Sequence, residues 1–129
     1  MDMTALAGWR DYVQIRDDDA LRNLLHPDVV FESPIVHTPQ RGREITLRYL
    51  ASAVRVLGGP KFRFTGEWRN AHGAVLELET EIDGIVINAV DLITFNDDGS
   101  LITHFKVMVR PLEAIKLLHR LMSAEVARA

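Results

Sequence analysis

Asp83 and Gly84 constrain this chain more than any other pair, because they separate two long runs that each read as a strand. Before them, Ala74 to Ile82 alternates strictly, with Leu76, Leu78, Thr80 and Ile82 on one face and Glu77, Glu79 and Glu81 on the other. A period of two over this length predicts a half-buried strand. After them, Ile85 to Phe95 reads as the returning strand, and Asp-Gly suits a two-residue hairpin turn, whose central positions need positive φ. Such a hairpin pairs Ile82 with Ile85 and hence Leu76 with Asp91. Directly opposed residues share a face, so Asp91 belongs on the apolar side with Ala89 and Ile93.

The rest of the chain supplies helices before this hairpin and one more strand and helix after it. Leu6, Trp9 and Val13, with Tyr12 alongside, recur at helical spacing between Thr4 and Arg16, and Asp17-Asp18-Asp19 offers N-caps for a short helix through Leu25. His26-Pro27-Asp28 is a breaker, and Val29 to Ser33 reads as a short strand stopped by Pro34. Ile35 to Arg41 reads as a loop. A third helix is expected from near Gly42 to about Leu57, with Ile45, Tyr49, Leu50, Ala53 and Leu57 on one stripe and Gly58-Gly59-Pro60 ending it. Lys61 to Trp68 alternates as a strand. Asn96-Asp97-Asp98-Gly99 makes a second turn, Leu101 to Val109 a last strand, and Pro111 the first turn of a closing helix through Met122.

Helices followed by a meander of long strands predict an α+β fold, an antiparallel sheet with helices on one face. At 129 residues one domain spanning 1–129 suffices. A net charge of -3 gives no footprint for nucleic acid or an anionic membrane. The absence of cysteine excludes disulfides and thiolate chemistry. Met1-Asp2-Met3-Thr4 opens without an apolar h-region, and no apolar run approaches about 18 residues, so a cytoplasmic location is the default expectation. No nucleotide loop, HExxH helix or trustworthy histidine spacing is present, so neither metal nor cofactor is expected.

Three segments in this order, Asp28-Val29-Val30-Phe31-Glu32-Ser33-Pro34, then Arg41-Gly42-Arg43-Glu44-Ile45, then Val90 to Phe95 with Asn96-Asp97-Asp98-Gly99, carry a resemblance to the nuclear-transport-factor-2-like superfamily. Within it the chain resembles the ketosteroid isomerases and SnoaL-like polyketide cyclases. The resemblance implies a cone: a curved, mixed but mainly antiparallel sheet with helices on its concave face, enclosing one mostly apolar pocket. It also implies that the aspartate donating a hydrogen bond to a developing oxyanion falls on Asp91, that the general base falls on Ser33, and that the tyrosine of the first helix falls on Trp9. Serine cannot act as a carboxylate base, which argues against steroid isomerisation in that manner. Tyr12, a turn away, is not assumed to replace the tyrosine.

Asp91 is the leading candidate for chemistry, since a buried carboxyl must be protonated, hydrogen-bonded or paired with a cation. His104 and Lys106 depend on the second turn. A four-residue loop at 96–99 sets Asp91 opposite His104 and Ala89 opposite Lys106, and leaves Val86, Val90, Leu92, Phe105, Val107 and Val109 as an apolar outer face. A three-residue loop with a bulge sets Asp91 opposite Phe105 and takes His104 and Lys106 out of the pocket. The apolar pattern favours the second arrangement and the family resemblance the first, from which the site is read. Asp91, His104 and His37 are then the acid–base candidates, and Trp9, Phe31, Ser33, Tyr49, Trp68, Lys106 and Met108 the lining, although aromatic residues and methionine at these spacings also suit plain core. His26, His72 and His119 read as solvated, and Glu32 points outward.

Two functions fit. One is an isomerase, cyclase or hydrolase acting on a small apolar carbonyl or epoxide compound, with Asp91 as donor and His104 or His37 as base. The other is a non-catalytic module binding a ligand or a protein partner. A homodimer through the outer sheet face is expected in either case, because that face is larger than a soluble monomer ordinarily exposes.

Overall fold

The protein, described here over residues 3–128 in a computed structural model, consists of four helices and a six-stranded sheet. The reading of the extreme amino terminus at Met1 and Asp2 lies outside the described residues. Two helices open the chain, α1 (Thr4–Ile15) and α2 (Asp18–Leu24). The Asp17 carboxylate caps α2 by accepting from the Asp19 and Ala20 N–H groups. Strands β1 (Leu25–Glu32) and β2 (Gln40–Arg41) precede α3 (Arg43–Leu57); β3 (Arg63–Arg69), β4 (Gly73–Ile82), β5 (Ile85–Phe95) and β6 (Ile102–Arg110) follow, and α4 (Leu112–Arg128) closes the chain. The sheet runs β2-β1-β6-β5-β4-β3, mixed because β1 lies parallel to β6.

The Asp83-Gly84 turn forms as the sequence requires, with φ of 53° and 77°, and it sets Ile82 opposite Ile85 and Leu76 opposite Asp91. Elsewhere the pattern is modified. β1 starts at Leu25, ahead of the expected breaker, because Leu25 pairs with Ile102; the ladder then slips before Val30 meets His104. Pro27, which has no N–H to donate, sits in the slipped stretch. The presumed loop before α3 contains β2, whose two residues pair with Val30 and Phe31. Gly42 adopts φ 110°, a conformation that glycine alone takes readily, and turns the chain from β2 into α3. The buried stripe of α3 is Leu47, Leu50, Val54 and Leu57, with Ile45 exposed, since the helix packs against α2, β1 and α4. α4 runs six residues beyond the expected end at Met122.

The largest correction concerns β6. Asn96 closes the β5–β6 connection by bonding Leu101 through both its backbone and its side chain, so the turn is longer than either expected form. A bulge at Thr94/Phe95 absorbs one more residue, and Asp91 ends opposite Val107, with Ile93 opposite Phe105. The facing is that of the bulged alternative, in a register two residues further on. Phe105, 1% exposed, and Val107 therefore join the core, and Val109 packs under α4, rather than forming the outer face. His104 and Lys106 point to the opposite side of the sheet from Asp91, because successive strand residues alternate faces.

This register is testable by stability. Phe105→Ala should cost about 3–5 kcal/mol, as expected for a fully buried aromatic. His104→Ala, which removes only a part-exposed hydrogen bond to Glu32, should cost about 1 kcal/mol. Urea denaturation of the two variants measures both, and the reverse order would restore the four-residue turn.

Candidate functional site

The centre of the concave face is a carboxyl group in apolar surroundings. β5 carries Asp91 between β4 and β6, its neighbours across the ladders being Leu76 and Val107. The residue is 5% exposed. Its side chain borders a chamber of about 40 Å³ walled by Trp9, Leu57, Phe62, Leu78, Phe105 and Val107, among others. Desolvation disfavours the charged form, and burial pushes the Asp91 pKa up to about 7. The indole of Trp9 acts weakly in the other direction. Its buried Nε1 makes no hydrogen bond of standard geometry, yet it is the polar group that favours an ionised Asp91.

Packing fixes the position of Trp9. The buried stripe of α1, Leu6, Trp9 and Val13, faces the sheet, and the Trp9 ring stacks on Tyr12 with centroids 5.8 Å apart and meets Phe105 edge-on at 4.9 Å. Tyr12 does not reach the chamber with its hydroxyl, which donates to Asp18 Oδ1 at 2.7 Å. Burial and that partner both raise the Tyr12 pKa. Among the described residues the indole N–H is therefore the donor group that acts on Asp91.

Next to the chamber lies a groove of about 410 Å³, and the two share Ala53, Leu57 and Val107 as a common wall. Phe31 and the 33–36 segment form one side of the groove, Tyr49 on α3 another, and Leu118, His119, Met122 and Val126 on α4 the third. Tyr49 stacks on Phe31 at 5.7 Å. Ser33 is committed to the local backbone, where Oγ accepts from the Ile35 N–H at 3.0 Å and the Val36 N–H at 3.4 Å.

The expected site residues divide into three sets. Trp9 and Asp91 meet at the chamber; Phe31, Ser33 and Tyr49 line the groove. The remaining candidates lie elsewhere. His104 bonds Glu32 at 2.6 Å on the outer side of the sheet, and Lys106 lies beside it there. Met108 and Trp68 are 48% and 59% exposed on the outer side too, because the register reverses their facing. His37 is exposed on the loop after β1 and lines neither cavity. Sequence reading missed the α4 wall, since it ended that helix at Met122 and took His119 as merely solvated. The amphipathic continuation through Val126 carried the signal. Among the described residues no cluster of histidine and acidic side chains could hold a metal ion.

Comparison with known proteins bears on this geometry. Residues 6–104 match the model of the SnoaL-like domain family. A steroid delta-isomerase from Pseudomonas aeruginosa superposes with a TM-score of 0.89 at 32% identity, covering 97% of this chain and 90% of that one. An uncharacterised protein with a cystatin-like fold from Silicibacter pomeroyi gives 0.87 at 27% identity, covering 97% and 86%. An NTF2-like protein of unknown function from Mesorhizobium loti gives 0.70 at 18% identity, covering 84% and 89%, a likeness of fold alone. No curated protein sequence matches significantly.

The raised Asp91 pKa has a thermodynamic signature. Between the unfolded aspartate value of about 4 and the folded value near 7, the native chain holds a proton that the unfolded chain has released. Stability should therefore fall as pH rises through this window, by on the order of 4 kcal/mol, and level off above it. Asp91→Asn should remove that slope and be the more stable protein at neutral pH. Urea denaturation between pH 4 and 8 checks both statements.

Proposed function

Because the chain belongs to the SnoaL-like domain family, within the nuclear-transport-factor-2-like superfamily, we propose that it is a small-molecule pocket protein that holds the oxygen of a small, largely apolar carbonyl compound against a neutral Asp91. The observation that carries this reading is the burial of that carboxyl in an apolar chamber, with no cation beside it among the described residues. A protonated carboxyl donates a hydrogen bond without bringing a charge, and it donates most strongly to an oxygen that gains negative charge. That is the acid half of isomerase or cyclase chemistry. The likeness to a steroid delta-isomerase supports an apolar body for the ligand.

The base half is not built in the same way. By the family resemblance the isomerases' general base falls on Ser33, whose hydroxyl accepts two backbone hydrogen bonds, while His104 and His37 stand away from the chamber. These placements favour a second reading, in which the pocket binds and polarises a carbonyl without turning it over. Both readings share the Asp91 contact.

The test is the pH dependence of binding. Against a panel of cyclic aliphatic and aryl ketones, calorimetric affinity should be constant below about pH 7 and weaken about tenfold per pH unit above it, as Asp91 loses its proton. Asp91→Asn keeps a donor and should bind without that dependence. Absence of binding across the panel, or an affinity indifferent to pH in the wild type, would refute the reading.

A further inference from the structure

The polar side chains that line the groove are Ser33, Tyr49, His119 and Ser123. Two of them are turned to the backbone. Ser33 accepts from the Ile35 and Val36 N–H groups, and the Ser123 hydroxyl donates to the His119 carbonyl at 2.8 Å. The Tyr49 hydroxyl and the His119 imidazole are left without a hydrogen-bond partner among the described residues. A phenol is a poor base beside an imidazole, the side chain suited to taking and returning protons near neutral pH. His119 is therefore the group on this wall equipped to act as a base.

The helix that carries His119 is held on both sides of it. Leu117 and Leu118, almost wholly buried, pack with Leu57 and Ile87. Further along, Arg48 on α3 donates to the Val126 carbonyl at 2.8 Å and Arg55 pairs with Glu125 at 2.7 Å, which ties the last turns of α4 to α3. His119 itself lines the groove while remaining exposed, so a proton on its ring trades with water. On the sheet side, Val107 is both a groove residue and the ladder partner of Asp91. Neighbouring strands lie about 5 Å apart, so the carboxyl stands one strand spacing from the groove wall.

Resting on the reading of Asp91 as hydrogen-bond donor to a carbonyl oxygen, we infer that His119 is the catalytic base of this pocket and takes a proton from the carbon beside that carbonyl. The substrate class is then an enolisable ketone. The imidazole nitrogen receives the α-proton, and the C–H electron pair becomes the second bond between the α-carbon and the carbonyl carbon. The carbonyl π pair moves onto oxygen, where the Asp91 hydrogen bond strengthens as negative charge develops. Return of a proton from His119 to carbon reverses the flow and restores the ketone, with no oxidant or co-reactant consumed. Because the exposed ring exchanges its proton with solvent between the two steps, turnover writes solvent deuterium into the ketone.

Proton NMR of the full chain in deuterium oxide, with cyclohexanone and 1-tetralone as probes and their calorimetric Kd measured in parallel, tests the inference. The wild type should remove the α-hydrogen signal well above the rate in buffer. His119→Gln keeps a polar side chain and removes the base; it should lower the saturated exchange rate at least about a hundredfold with Kd unchanged within about twofold, the effect expected of a positioned base. His119→Ala should lose exchange in the same way, and the urea curves of both variants should match the wild type because the residue is exposed. Ketones that bind but exchange no faster than in buffer, or a His119→Gln variant as fast as the wild type, would overturn the inference and leave the Asp91 contact standing. A rate that falls only in step with affinity would make His119 a binding residue and overturn it too. Failure of both ketones to bind would remove the Asp91 reading and this inference together.

Discussion

The pleat of β5 governs both surfaces of the molecule. Its alternate residues divide without exception between the two sides of the sheet: Ala89, Asp91 and Ile93 face the helices, and Val90 and Leu92 face away. A strand with neighbours on both edges cannot shift by one residue without exchanging these sets, and each flanking ladder resists that exchange with a row of buried contacts. The turn at Asp83-Gly84 anchors one ladder and the Asn96 closure anchors the other. Chamber, core and outer patch are therefore one consequence of a single register.

Within that frame Asp91 is a local cost. Removing a carboxyl from water disfavours its charged form, and neither Trp9 nor any cation supplies full compensation. The surrounding apolar packing is dense enough to retain it: Leu76, Phe105 and Ile93 are almost wholly buried around the strand. A polar group kept at a cost in the middle of a core is the kind of local inconsistency that functional sites show.

Much of this was legible in the chain. The β4–β5 hairpin, the burial of Asp91 and the order of helices and strands followed from period and turn chemistry, because these depend on nearest neighbours in sequence. The β6 register did not. It depends on how Asn96 closes the turn and on a bulge at Thr94/Phe95, two local choices whose effects add, and they carried His104, Lys106, Met108 and Phe105 to faces opposite those expected. The groove was half visible. Phe31, Ser33 and Tyr49 line it as expected, but its α4 wall depends on where a helix ends, and no proline or glycine marks that end.

The protonation state of Asp91 is the measurement on which this account turns most directly. A ¹³C-detected NMR titration of the aspartate carboxyl carbons, assigned by comparison with Asp91→Asn, reads that carboxyl individually among the others. A midpoint close to 7 is the expected result, in keeping with a neutral donor in an apolar chamber. A midpoint near 4, the ordinary aspartate range, would mean that the carboxyl is hydrated or paired, and the neutral hydrogen-bond donor would have to be abandoned.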